Sequence, residues 1–226
     1  MLLEIPRVLQ DEQLLDFRQR LSKANWADGR HSAGYLAQSV KENHQLADAD
    51  PTGHALGEVI LDALQDNPLF ASAALPLKMV SPLFNRYADQ QSYGRHIDGA
   101  IRPVGDGHNR VRTDLSATLF LSEPDDYDGG ELVVEDTYGT RRIKLAAGDM
   151  VLYPGTSVHH VEPVTRGTRL AAFFWIQSMV RSDADRTLLF QLDNTIQTIA
   201  TDHPDHPALI DLAGVYHNLL RRWADA

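Results

Sequence analysis

Hydrophobic positions recur at helical spacing near both ends of the chain and in short β-type runs through its middle. After Pro6, Asp11 is placed to cap a helix carrying Leu14, Leu15, Arg18 and Leu21, and Pro51 opens a second through Leu56, Ile60 and Leu64. From Leu77 the pattern changes to runs bounded by turn residues: LKMVSPLFNRY, RTDLSATLFLS, ELVVED, RRIKL, DMVLY, HHVEPV and RLAAFFWIQSM. Between them stand Asp128-Gly129-Gly130, which reads as a tight hairpin turn, Tyr138-Gly139-Thr140, Ala147-Gly148-Asp149 and Tyr153-Pro154-Gly155. Beyond Ser182 the helical period returns, with Leu188, Leu189, Leu192, Ile196 and Ile199 in one segment and Leu209, Leu212, Val215, Leu219 and Leu220 in another. The Pro-rich link from Asp202 to Pro207 predicts a kinked connection, with Asp205 placed to cap the last helix.

Six or seven successive strands without intervening helices predict a mainly β fold with flanking helices, an antiparallel sandwich or jelly roll rather than a βαβ sheet. The expected division is an N-terminal helical support over residues 1–77, a β core over 78–177 and a helical C-terminal extension over 178–226. At 226 residues the chain can bury one sizeable core. Its net charge of −10 offers no basic field for a phosphate backbone, so nucleic acid is not expected as a partner. With no cysteine, disulfides, thiolate metal sites and iron–sulfur clusters are excluded. Any metal must be held by nitrogen and oxygen. The N-terminal MLLEIPRVLQDEQ contains no signal-peptide core and no run reaches the roughly 18 apolar residues of a membrane span, so a cytoplasmic protein without a membrane partner is expected.

Three His-x-acid triplets occur, His96/Asp98, His160/Glu162 and His203/Asp205, and one such triplet alone carries little weight. His96 and Asp98 stand between two strand-like runs, in the stretch YGRHIDGA. Residues two apart in an extended segment point to the same side, so both side chains can reach one ion; a polar surface loop is the other reading. His159, just after DMVLYPGTS on another predicted strand, supplies a third ligand. Two histidines and a carboxylate on one face of an octahedral ion are the arrangement of non-haem Fe(II) oxygenases. Arg169 leads the apolar run LAAFFW, and a buried guanidinium requires an anionic partner. That partner is either the distal carboxylate of 2-oxoglutarate or a protein acid such as Glu131 or Asp149.

His96-x-Asp98, His159 and Arg169 resemble the His-x-Asp…His…Arg pattern of Fe(II)/2-oxoglutarate dioxygenases. More closely, PLFNRY, YGRHID, RTDLSATLFLS, YDGGELVVED, GDMVLYP and PVTRGTR resemble the bacterial PKHD-type hydroxylases, relatives of the prolyl and lysyl hydroxylases. The resemblance implies a double-stranded β-helix, with His96, Asp98 and His159 on Fe(II) and Arg169 on the far carboxylate of 2-oxoglutarate. It favours His159 over His160, which it leaves at the pocket rim or behind the ligands, and it puts Tyr87 either against the cosubstrate or in the core. Tyr93, Asp114, Thr118 and Trp175 either line the pocket or pack the strands. The implied reaction consumes 2-oxoglutarate and dioxygen, releases succinate and carbon dioxide, and hydroxylates a C–H bond of a small molecule or a protein side chain. Ascorbate dependence and a link to bacterial iron acquisition accompany the family. Two rival readings use the same residues: a noncatalytic sensor of iron or 2-oxoglutarate, and a cupin-like zinc hydrolase. Apolar surface on the terminal helices serves either a homo-oligomer interface or the cover of the β core.

Overall fold

The computed structural model describes residues 1–32, 34–104, 109–136 and 139–225. The N-terminal part contains strand β1 (Leu3–Ile5), helix α1 (Asp11–Leu21), β2 (Trp26–Asp28), α2 (Tyr35–Gln38), β3 (Lys41–Glu42), β4 (His44–Leu46), α3 (Pro51–Gln65) and α4 (Pro68–Ala74). Helix α3 begins as its sequence predicts, with Pro51 in the first turn and the Asp50 carboxylate accepting from the Thr52 and Gly53 N–H groups. It buries Leu56, Ile60 and Leu64. Helix α1 departs from expectation. Asp11 is its first residue, the cap is Gln10, and the Gln10 N–H donates to the Gln13 side chain. Its inward stripe is Leu14, Phe17 and Leu21, while Leu15 is 71% exposed.

The middle of the chain supplies β5 (Pro76–Met79), β6 (Leu83–Tyr87), β7 (Ser92–His96), β8 (Ile101–Val104), β9 (Asn109–Arg112), β10 (Leu115–Phe120), β11 (Tyr127–Gly129), β12 (Leu132–Asp136), β13 (Gly139–Ile143), β14 (Met150–Pro154), β15 (Val158–Val161), β16 (Val164–Gly167) and β17 (Arg169–Ser178). The large sheet runs β1-β14-β10-β17-β6-β4-β2, with β5 also on β17, and the smaller runs β13-β12-β15-β7-β3. All these pairings are antiparallel. Two single runs of the sequence each divide into two strands, LKMVSPLFNRY around Ser81-Pro82 and HHVEPV around Glu162-Pro163. The strands β2, β3 and β4, each two or three residues long, are additions to the helical support expected of the N-terminal part. They extend both sheets.

Strand parity decides what each sheet face meets. On β14, Met150 and Leu152 pack outward with Phe84, Leu119 and Phe174 against α1, α3 and α4. Val151 and Tyr153 point the other way and meet Leu132, Val134 and Val161 of the small sheet. The two sheets therefore enclose an interior of their own, as in a jelly roll. Asp128-Gly129-Gly130 is not a hairpin turn: β11 pairs with β16 through a register shift at Asp128/Gly129, and Gly129 and Gly130 take φ of +71° and +68°. A Cβ on Gly129 would lie 2.0 Å from the Pro163 carbonyl oxygen, so only glycine fits this corner. Tyr138, expected in a turn, lies outside the described residues.

Helices α5 (Asp183–Asp202) and α6 (Ala208–Trp223) form a hairpin across the predicted Pro-rich link. Ser182 caps α5 by accepting from the Asp185 N–H. Asp205 does not cap α6; the Ala208 N–H donates to His206 Nδ1 instead, at 3.2 Å. Helix α6 packs Tyr216, Leu219, Leu220 and Trp223 against Leu75, Val180 and, on α5, Leu189. Among the described residues no helix is long and apolar enough to cross a membrane.

Candidate active site

Between the sheets lies a cavity of about 590 Å³. His96, the last residue of β7, pairs in register with His159 of β15, so the antiparallel ladder brings the two rings side by side. Asp98 follows two residues beyond His96, past the end of the strand. Each ring is oriented by its own backbone: His96 Nδ1 lies 2.8 Å from the Gly94 carbonyl and His159 Nδ1 lies 3.1 Å from that of Ser157. A ring nitrogen facing a carbonyl carries the proton, which leaves the Nε2 lone pair of both rings open. Burial, and then the neighbouring His159, push the His96 pKa well below its usual value. The ring is neutral at neutral pH, the form a metal requires.

Ser116 of β10 donates to Asp98 Oδ2 at 2.7 Å, and the same oxygen lies 3.7 Å from His159 Nε2. One ligand atom from each of His96, Asp98 and His159 falls within 4.8 Å of the others. Tyr93 stacks on His96 with ring centroids 3.7 Å apart, and Tyr153 meets His159 edge-on at 5.2 Å. Two imidazoles and a carboxylate, fixed from behind by two carbonyls and a hydroxyl, are a donor set that fits Fe(II).

Arg169 starts β17 opposite Tyr87 of β6, and both line the same cavity. The guanidinium is 1% exposed and lies 5.4 Å from the Tyr87 ring and 5.2 Å from Phe120. Among the described residues its Nε and Nη1 have no hydrogen-bond partner. Neither protein acid considered for it is engaged with it: Asp149 accepts from the Arg7 N–H, and Glu131 faces Arg142 at 4.0 Å. Burial raises the pKa values of Tyr87, Tyr93 and Tyr153, so these phenols stay protonated at neutral pH.

Of the residues offered as pocket lining, Tyr93, Thr118 and Trp175 are there. Asp114 is not; it turns away to pair with Arg112 at 2.7 Å and to accept from the Ser178 N–H. His160 points to the opposite face of β15, toward Glu162 at 3.4 Å, as strand parity requires once His159 faces inward. Sequence reasoning missed Ser116, Lys41 and Arg102. Ser116 was legible as one of two polar positions, with Thr118, in an otherwise apolar strand. Lys41 and Arg102 stand in short segments without a readable period.

Residues 82–177 match the 2OG-Fe(II) oxygenase superfamily, and residues 183–225 match the PKHD-type hydroxylase C-terminal domain. Fold, donor set and match together define an Fe(II)- and 2-oxoglutarate-dependent oxygenase. A PKHD-type hydroxylase of Stutzerimonas stutzeri is 57% identical over the full length of both chains, and one of Burkholderia thailandensis is 60% identical, again over both full lengths. This chain belongs to the PKHD-type hydroxylases. Among solved structures, a prolyl hydroxylase from Trichoplax adhaerens in complex with a hypoxia inducible factor peptide fragment superposes with a TM-score of 0.58, covering 83% of this chain and 86% of that one at 12% identity. That likeness concerns the fold alone. The chain is thus a 2-oxoglutarate-dependent dioxygenase that works with Fe(II) and dioxygen, and the sensor and zinc-hydrolase readings give way.

Proposed function

We propose that His96 Nε2, His159 Nε2 and one Asp98 oxygen hold the Fe(II), and that Arg169 receives the far carboxylate of 2-oxoglutarate. The observation that carries this reading is the buried guanidinium of Arg169, with two nitrogens lacking partners, in the same cavity as the His–Asp–His group. A buried charge left unsatisfied is costly, and a dianionic cosubstrate removes that cost by a two-pronged ion pair. When bound, iron and 2-oxoglutarate together supply the oxidising chemistry, with one oxygen atom of dioxygen leaving in succinate and the other delivered to a substrate C–H bond.

The chain's own residues do the rest. Ser116 holds the Asp98 carboxylate in place, the Gly94 and Ser157 carbonyls fix both imidazole tautomers, and Tyr87 offers a protonated phenol and a ring face beside the guanidinium. Tyr93, Phe173 and Trp175 keep water from the reacting centre. The substrate is a small molecule or a protein side chain, the working compartment is the cytoplasm, and ascorbate is the reductant that restores oxidised metal. The exposed apolar side chains Ile210 (82%) and Val215 (50%) on α6 are consistent with a homo-oligomer.

An anaerobic titration of metal-free protein with Fe(II) and then 2-oxoglutarate tests the central assignment. The visible charge-transfer band of a chelated Fe(II)–2-oxoglutarate complex is expected, weakened in Arg169→Ala and absent in Asp98→Ala. Iron bound without any band would remove the chelate from the proposal. Asp98→Ala should also abolish succinate formation, and retained turnover would remove Asp98 from the ligand set.

A further inference from the structure

The cavity is more positive than the metal and cosubstrate require. Among the described residues its lining contains three cationic side chains, Lys41, Arg102 and Arg169, against a single carboxylate, Asp98. Under the proposed assignment, Asp98 belongs to the iron, and the two carboxylates of 2-oxoglutarate answer to the iron and Arg169. Arg102, over Trp175 six residues along β17 from Arg169, then remains for a further anion. In a chain of net charge −10 this local excess runs against the background.

Arg102 on β8 holds its guanidinium over the Trp175 ring, 3.8 Å from the centroid. Among the described residues it makes no ion pair and no hydrogen bond, and it is only half-buried, so its donors face the cavity. Trp175 is 4% exposed and stands edge-on to Phe173, a rigid platform that holds the guanidinium in one place. Lys41, 3% exposed, donates to Gln45 Oε1 at 3.0 Å, with its ammonium 5.2 Å from the Tyr93 ring and 5.7 Å from Phe173. Its charge adds to the field at the same wall. Around the mouth, Tyr35, Leu36, Ile97 and Ile101 are 91%, 81%, 56% and 52% exposed. Exposed apolar side chains clustered at a cavity rim mark a surface that a ligand covers.

We propose that the substrate hydroxylated here is a small organic anion, its charged group paired with Arg102 above Trp175 and its apolar or aromatic body lying against the rim. A cavity of about 590 Å³ takes 2-oxoglutarate together with a ligand of that size. The inference rests on the assignment of iron and 2-oxoglutarate made above, and makes Arg102 the residue that selects for charge. Guanidinium rather than ammonium suits this role, since its planar fork meets a carboxylate with two parallel bonds while its face stays stacked on the indole.

The test uses matched probes of nearly equal shape: phenylacetate with phenylacetamide, and indole-3-acetate with indole-3-acetamide. Each is titrated calorimetrically into the full-length protein loaded anaerobically with Fe(II) and saturating 2-oxoglutarate. In at least one pair the carboxylate is expected to bind at least about tenfold more tightly than the amide. Arg102→Gln should reduce that preference to within about twofold while leaving 2-oxoglutarate affinity unchanged, and Arg102→Lys should keep a clear preference, which separates lost charge from a lost fold. Equal affinity within both pairs, absence of binding by all four probes, or a preference that survives in Arg102→Gln would each overturn the proposal. The affinity for 2-oxoglutarate is measured first in the same samples. If it binds and the pairs show no preference, the substrate class alone is wrong; if it does not bind in the presence of Fe(II), the assignment of the site fails as well.

Discussion

Two arginines of this chain are almost completely buried, Arg169 in the jelly-roll interior and Arg186 at the start of α5, and they are treated in opposite ways. Arg186, 2% exposed, donates through Nη1 to the Val180 and Arg181 carbonyls at 2.8 Å each and through Nη2 to Asp183 at 3.1 Å. Arg169, 1% exposed, has Nε and Nη1 unanswered. A fold that keeps a guanidinium for structure saturates it; one that keeps it for a ligand leaves the ligand's share open. Arg186 ties the helical extension to the end of β17, so the contrast also separates the part of the chain that carries the chemistry from a part that supports it.

The sharpest way to break the comparison is to replace both residues by methionine, which keeps much of the stem and removes the charge. Arg169→Met should, under the proposed assignment, lose about 2–5 kcal/mol of 2-oxoglutarate binding, at least about a thirtyfold rise in Kd, because the proposed buried ion pair loses one partner. Its unfolding free energy in the absence of cosubstrate should stay level or rise, since an unsatisfied buried charge has been removed. Calorimetry and urea unfolding read the two effects separately, and an unchanged Kd would remove Arg169 from the cosubstrate site.

Arg186→Met should do the reverse. It strands the Val180 and Arg181 carbonyls and frees Asp183, which keeps its contact with the N-terminal ammonium at 2.6 Å. The expected cost is about 3–5 kcal/mol of stability, with 2-oxoglutarate affinity unchanged in protein that remains folded. A loss of affinity in folded Arg186→Met would mean that the extension takes part in the site, and the contrast would collapse.

What was legible in the sequence follows the same line between local pattern and long-range pairing. DMVLY could be read because Met150 and Leu152 alternate with Val151 and Tyr153, each set serving its own core. His96 and Asp98 could be read because residues two apart share a side, and Arg169 because a charge stands at the head of an apolar strand. Trp26–Asp28 and Lys41–Glu42 could not, since two or three residues carry no period and become strands only through partners elsewhere, β4 for the first and β7 for the second. The choice of His159 over His160 needed a reference for strand parity, which the register of β15 against β7 provides. The positions of Lys41 and Arg102 depend on the pairing of β3 with β7 and of β8 with β9, and on packing over Tyr93 and Trp175, so no local motif announced them.

Lys41 sharpens the comparison at smaller scale, as a buried cation of intermediate kind. Its ammonium donates to the neutral Gln45 side chain, and burial, with the Arg102 charge next, pulls its pKa from 10.5 down to about 8. Below about pH 8 the folded and unfolded chains both hold the proton, and the folded state bears the full cost of a charge in a poor environment. Between about 8 and 10.5 the unfolded state binds more protons at this position, so stability gained from Lys41 rises with pH across that window. The difference in unfolding free energy between the wild type and Lys41→Met should therefore move in the wild type's favour by about 2–3 kcal/mol from pH 7 to pH 10.5. Taking the difference cancels the titration of shared groups that do not feel the Lys41 charge and any pH-independent loss at Gln45. Urea unfolding at half-unit steps would trace the curve, and a flat difference would show that Lys41 is solvated as well in the fold as out of it.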